Sequence, residues 1–488
     1  MKRCMAILLT VLLAFSLFAC KTPPPDSGDP PDPGIVTPGE DDPPGKDDPP
    51  DDPPDDPDDP PDDPDDPPAE VVLTVGRSEL ILPVGRNENV EATAENTEDA
   101  IAYESGDPAI ATVDALGKVT AVAAGKTTVT VSCGGKTAVC AVTVGARSKS
   151  VRASEMESSA YVNTFGRNYF ESSLYRMEYV ASGFEVSFYG SSLSAEMWAD
   201  NETYFVVYVD GEKSETIRLN ANERKVCKLV DASAKAERTV KVLKRTELLL
   251  STAGVAGVKT EDGYFLSRPA RAARRIEVFG DSITSGYGNL GAMGTTMNAS
   301  NSDGLQTYAT LAAAAVGAEI QTVSCSGYGL YTSRWGVGII PPLFAKTTQN
   351  HTTPWDATKY VPDVVVINLG TNDGANVEGN SRDDMPLFTV EAYTAAYRAF
   401  IAEIRAAYPG VQILCCFGLM GNARYDEIKG AITDMCAEYA ASDDDAVSYL
   451  LFDQITAADR GCASHPNVAA HTRAAAQLAK KLTNMFEA

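Results

Sequence analysis

At 488 residues the chain has room for about three domains of ordinary size. Its net charge of −26 is concentrated in an Asp/Pro segment near the N-terminus and speaks against a nucleic-acid partner, whose phosphates need a basic face. No apolar run reaches the roughly 18 residues of a membrane-spanning helix, so none is expected.

Lys2-Arg3 followed by the apolar run Met5 to Ala19 has the form of a signal peptide. It ends Leu17-Phe18-Ala19-Cys20, which resembles the lipobox of bacterial lipoproteins. That resemblance implies cleavage of residues 1–19, lipidation of Cys20 and an anchor in the membrane of a bacterial cell envelope, facing the exterior. Residues 20–69 are nearly all Pro, Asp and Gly, a composition that cannot bury a core and favours extended polyproline II. At about 3.1 Å per residue such a tether reaches on the order of 150 Å.

Residues 70–146 read as short strands separated by turns: Val71–Val75, Glu79–Leu82, Asn89–Ala94 and Thr127–Val131. The run Tyr103-Glu104-Ser105-Gly106-Asp107-Pro108-Ala109-Ile110-Ala111-Thr112-Val113, with Gly117-Lys118-Val119-Thr120-Ala121 after it, resembles the bacterial Ig-like group 2 domain. The resemblance implies a β-sandwich spacer. A two-residue Gly134-Gly135 turn would set Cys133 opposite Lys136, so a Cys133–Cys140 disulfide is not the natural register. Residues 150–268 are again strand-rich, with Phe184–Gly190, Tyr204–Gly211 and Arg238–Glu247 alternating around an Asp210-Gly211 hairpin signal, and suggest a second β-sandwich.

From residue 271 to 488 the texture changes. Strand-like runs at 276–279, 319–323, 364–369, 411–417 and 447–452 alternate with helical stretches such as Glu391–Ala407. Repeated strand–helix units predict an α/β domain with a parallel sheet, its ligands at the carboxyl ends of the strands. Cys325, Cys415, Cys416 and Cys436 fall in apolar runs and read as buried thiols. With no C-x-x-C pair and only His351, His465 and His471, neither a metal nor a cofactor is expected.

Three turns fall at predicted strand ends: Gly280-Asp281-Ser282, Cys325-Ser326-Gly327-Tyr328-Gly329 and Gly370-Thr371-Asn372-Asp373. Gly461-Cys462-Ala463-Ser464-His465-Pro466-Asn467 precedes the last helix. A serine needs a base to take its proton and donors to hold the oxyanion that follows, and these four segments contain both. In this order they resemble the blocks of the SGNH (GDSL-like) hydrolase superfamily. The resemblance implies Ser282 as nucleophile, His465 as general base, and an oxyanion hole of the Ser282 N–H, the Gly327 N–H and the Asn372 amide.

Val242-Leu243-Lys244-Arg245-Thr246-Glu247, Gly263-Tyr264-Phe265 and Arg274 to Gly288 look like carbohydrate esterase family 2, in which a jelly-roll sandwich precedes an SGNH domain. That likeness spans residues 150–488 and implies a serine carboxylic ester hydrolase that removes O-acetyl groups from polysaccharides such as xylan and glucomannan. The partner is then an acetylated polysaccharide or oligosaccharide, and the whole is multidomain: Ig-like sandwich, jelly roll, then three-layer α/β. One departure concerns the acid that usually stands two or three residues before the histidine, where this chain has Ala463 and Cys462. A Ser–His dyad is expected, the alternative being a triad completed by Asp453 or Asp459. Tyr287, Tyr328, Tyr331 and Trp335 are candidates for stacking on sugar rings, and Asp373 for accepting a sugar hydroxyl. Other readings are a lipid or aryl esterase, a sugar acetyltransferase, and a carbohydrate-binding surface protein with a weakened site.

Overall fold

The computed structural model describes residues 70–145, 148–381 and 384–487. The expected signal peptide, the tether and Cys20 lie outside the described residues. No helix among the described residues is long and apolar enough to cross a membrane.

The first domain closes around Leu80, Leu82, Val119, Val129, Val131 and Val142, the inward positions of alternating strands. Gly125–Cys133 and Lys136–Gly145 form a hairpin in which Cys133 does face Lys136, while Cys140 faces Val129, and both thiols are free. The single strand expected at Asn89–Ala94 is two strands, Asn87–Asn89 and Ala92–Glu95, which join different sheets. Between them the Val90 N–H is taken by Gly117 O at 2.9 Å, which breaks the ladder.

The second domain is built on one long antiparallel pair, Gly183–Ala199 with Glu223–Lys244. Irregularities after Gly190 and Leu193 bend the pair, so that its two ends take different neighbours: Val162–Phe165 at one, Ala253–Lys259 at the other. Both halves close over one core containing Phe184, Phe188, Met197, Phe205, Val242 and Val255. The Asp210-Gly211 turn joins Thr203–Val209 to Glu212–Leu219, both turn residues at positive φ (52° and 86°).

The third domain has five parallel strands: β1 (Arg275–Gly280), β2 (Glu319–Ser324), β3 (Val364–Asn368), β4 (Gln412–Phe417) and β5 (Val447–Leu451), in the order β2-β1-β3-β4-β5. Near-continuous apolar runs suit such strands because helices cover both faces. On one face, helices α1 (Tyr308–Ala315) and α4 (Val468–Glu487) pack with Ile276 and Val278. On the other, α2 (Val390–Ala407) and α3 (Tyr425–Ala440) bury Phe400, Ile404 and Ile432 with Phe279 and Ile367. The strand order reverses at β1, so the loops after β1 and β3 diverge and leave a crevice at their carboxyl ends.

The second and third domains interlock. Arg167, on a turn of the β-rich domain, is fully buried with its guanidinium 4.8 Å from the Trp355 ring centroid. It donates to the carbonyls of Leu343, Phe344 and Lys346 at 2.7–3.0 Å and pairs with Glu277 of β1 at 2.7 Å.

Candidate active site

β1 delivers Gly280-Asp281-Ser282 into a single turn of helix, Ser282–Ser285. Asp281 caps it by accepting the Ile283 N–H at 2.9 Å. The turn is tight enough that a Cβ on Gly280 would sit 2.0 Å from Thr284 Oγ1, so only glycine serves there. As the first helical residue, Ser282 keeps a backbone N–H with no acceptor among the described residues.

Ser282 Oγ lies 2.8 Å from His465 Nε2, across 183 residues of sequence. His465 ends the short turn Cys462–Ser464, in which Ala463 and Ser464 take left-handed φ of 48° and 64°. Its Nδ1 is buried and faces the backbone carbonyls of Ala463 and Cys462 outside ideal hydrogen-bond geometry, with no side-chain acceptor among the described residues. Desolvation pushes the imidazole down to about 4, against the carbonyls of Ala463 and Cys462, which favour the charged ring. Tyr287 stacks on the imidazole, ring centroids 4.3 Å apart.

Neither candidate acid reaches the histidine. Asp459 binds the Thr456 N–H and hydroxyl and Arg473, which hold its carboxyl at about 2, and Asp453 accepts Gln477 Nε2 at 2.7 Å. Cys462, where an acid would often stand, turns its thiol to Thr295 Oγ1 at 2.8 Å. The other two histidines lie elsewhere. His471 Nδ1 accepts the Tyr308 N–H at the start of α1, and His351 packs against Tyr169.

Gly327 and Asn372 come from the loops after β2 and β3. Gly327 has φ of +84°, and a Cβ there would approach Val337 Cγ2 to 2.9 Å, so the position requires glycine twice over. Its N–H, like that of Ser282, has no acceptor among the described residues. Asn372 Nδ2 donates to Tyr328 O at 2.8 Å and lies 3.4 Å from Asp281 Oδ2, and Asn372 Oδ1 accepts Trp335 Nε1 at 3.1 Å. Ser282, Gly327, Asn372 and His465 share an open cleft of 570 Å³ with Tyr287, Trp335, Leu249 and the Met420–Ala423 loop.

Tyr287 and Trp335 therefore line the cleft as expected of stacking candidates, although one face of Tyr287 is used by the imidazole. The other three expected contacts are corrected. Asp373 is fully buried, its carboxylate taken by the N–H groups of Leu330, Tyr331 and Thr332, so it shapes that loop and presents nothing to a sugar. Burial pushes it up to about 6. Tyr328 is packed into the core, and the Tyr331 hydroxyl is tied to Leu387 O at 2.9 Å and to Thr389. Sequence reasoning missed the Trp335–Asn372 bond and the contribution of Leu249 from the β-rich domain, since neither leaves a local signature.

Residues 278–473 match the GDSL-like Lipase/Acylhydrolase family, residues 164–269 the Carbohydrate esterase 2 N-terminal family, and residues 73–144 the bacterial Ig-like domain (group 2). Over 308 residues the chain is 30% identical to Cellulase/esterase CelE of Acetivibrio thermocellus, a match covering 62% of this chain and 37% of that protein. Over 190 residues it is 28% identical to an acetylxylan esterase / glucomannan deacetylase of Cellvibrio japonicus, covering 38% of this chain and 53% of the relative. These curated relatives are thus matched over only about a third to a half of their own lengths. The solved structure of a family two carbohydrate esterase from Clostridium thermocellum in complex with cellohexaose superposes with a TM-score of 0.62 at 28% identity, covering 67% of this chain and 99% of that one. In chain order the protein therefore carries a bacterial Ig-like domain, a carbohydrate esterase 2 N-terminal domain and a GDSL-like hydrolase domain, and over the last two it is similar to the family two carbohydrate esterases.

Proposed function

We propose that the protein is a carbohydrate O-acetyl esterase that deacetylates polysaccharides of the xylan or glucomannan type through a serine acyl-enzyme. The observation that carries this reading is the 2.8 Å Ser282 Oγ–His465 Nε2 contact in a cleft lined by Ser282 and Gly327, whose N–H groups have no acceptor among the described residues. Ser282 Oγ attacks the acetyl carbonyl while His465 Nε2 takes its proton. The N–H groups of Ser282 and Gly327, with the Asn372 amide, hold the tetrahedral oxyanion. As the intermediate collapses, the imidazolium returns the proton to the departing sugar oxygen. Water then attacks the acetyl-enzyme with His465 again as base, and acetate leaves. A ring pushed down to about 4 is neutral at pH 7 and so able to accept the proton.

A carbohydrate substrate is supported by relatives named as acetylxylan esterase / glucomannan deacetylase and by the cellohexaose complex of a family two esterase. The exposed Trp335 on the cleft wall offers a ring face on which a sugar can stack. Lipidation of Cys20 and the Pro/Asp tether would hold the enzyme outside the envelope of a bacterial cell, against its polymer substrate. Acetate release by the full chain from acetylated xylan, acetylated glucomannan and a soluble aryl acetate tests the reading. Activity confined to long-chain or lipid esters would refute the carbohydrate assignment, and a Cys20→Ala variant that stays in the membrane fraction would refute the anchor.

A further inference from the structure

The loop after Lys244 belongs to the β-rich domain, yet its side chains reach into the catalytic loops. Lys244, fully buried, fixes its shape by donating to the carbonyls of Glu178, Thr246 and Ser251 at 2.5–3.0 Å. Arg245 donates to Ser302 O at 2.9 Å and to Ser300 O at 2.7 Å. Leu248 enters the core of the third domain beside Phe279, and Leu249 lines the cleft. Between these anchors stands Glu247, 1% exposed, whose Oε2 accepts the Ser326 hydroxyl at 2.5 Å and whose Oε1 has no partner.

Ser326 immediately precedes Gly327. On the other side, the Gly327 carbonyl accepts the Ser333 hydroxyl. The positive-φ backbone of Gly327 is thus held from both sides, and the upstream hold comes from another domain. Burying a carboxyl is costly, and desolvation pushes Glu247 up to about 7 although the Ser326 hydroxyl, Lys244 and the Ser326 backbone favour its charged form. A contact that served only to glue domains would be replaced by apolar packing at little loss, since Leu248 and Arg167 already provide the adhesion.

We propose that Glu247 is a positioning residue for the esterase reaction: by gripping Ser326 it aims the Gly327 N–H at the acyl oxygen, so the β-rich domain takes part in transition-state stabilisation without touching the substrate. This inference rests on the esterase reading above. Because an oxyanion donor acts in the transition state alone, its misplacement lowers kcat and leaves KM nearly unchanged.

The test measures kcat, KM and Tm on a soluble aryl acetate for the full chain and for Glu247→Ala, Glu247→Gln, Ser326→Ala and the double alanine variant. Glu247→Ala and Ser326→Ala should each lower kcat by about 10- to 100-fold, a part of the loss expected for a deleted donor. KM should stay within about twofold. The double variant should be no worse than the poorer single one, because both remove one interaction. Glu247→Gln, which keeps an acceptor for the Ser326 hydroxyl, should regain most of the rate. Multiplying effects in the double variant, or a loss seen only in Tm, would overturn the positioning role. Ser326→Ala and Glu247→Gln preserve volume and keep the test decisive if Glu247→Ala folds poorly. An inactive wild-type protein would instead sink the esterase reading itself, and the inference with it.

Discussion

Trp335 Nε1 donates to Asn372 Oδ1 at 3.1 Å, and this one bond fixes which way the asparagine amide faces. With Oδ1 committed to the indole, Nδ2 is the end that donates to Tyr328 O at 2.8 Å and to Asp281 Oδ2 at 3.4 Å, so an acyl oxygen takes a hydrogen that now goes to one of them, the longer Asp281 bond being the weaker hold. Trp335 thus has two separable attributes, an exposed ring face and a buried N–H contact. Trp335→Phe keeps the ring and deletes the donor. It should lower kcat about tenfold with KM little changed, while Asn372→Ala should cost about 10²–10³ in kcat. A Trp335→Phe effect confined to KM would mean that the tryptophan serves only to bind sugar.

The imidazole of His465 has no carboxylate partner. Asp453→Asn and Asp459→Asn should therefore each retain kcat within about threefold, whereas loss of a working triad acid costs about 10⁴. Steady-state rates on an aryl acetate decide between them. A loss of several hundredfold in either variant would restore a triad.

The pH profile follows from the same environment. Protonated His465 cannot accept the Ser282 proton, so the rate tracks the neutral fraction, and burial shifts protonation down to about 4. The acid limb of kcat/KM, which reports the free enzyme, should fall near pH 4 and leave the profile flat from roughly pH 6 to 8. Circular dichroism at each pH separates this limb from acid unfolding. A limb near 6.5, the value of an unperturbed histidine, would contradict the desolvated dyad.

Arg167 and Glu277 join the β-rich domain to strand β1 of the parallel sheet as a fully buried pair. Removing one partner strands a buried charge, so Arg167→Ala should destabilise the protein by about 3–5 kcal/mol. Glu277 would keep Gln321 Nε2 at 2.6 Å and the Tyr408 hydroxyl at 3.1 Å, which bounds the loss. Urea unfolding measures it. A change under about 1 kcal/mol would show that the two domains do not depend on this pair.

What could be read from the chain divides by the range of the interaction. The strands of the parallel sheet were legible as short strand-like runs alternating with helical stretches, most plainly the β-branched Val364-Val365-Val366-Ile367. Ser282, Gly327, Asn372 and His465 were legible through the resemblance of their four segments, taken in order, to the blocks of the SGNH superfamily, since each segment alone is a common turn. Asp373 and Tyr331 were misplaced because a loop position says nothing of which way a side chain points, and both turn inward to hold backbone. Glu247–Ser326 and Arg167–Glu277 join residues 79 and 110 apart, and no local periodicity encodes such a meeting.

The central claim is that Ser282 and His465 act as one unit on an acetyl ester. Its most direct measurement is acetate release from acetylated glucomannan by the full chain, by Ser282→Ala, by His465→Ala and by the double variant. The account predicts release by the wild type and losses above about 10³-fold in each single variant, with the double variant no worse than either. Full activity in His465→Ala, or a double variant far worse than both singles, would contradict it.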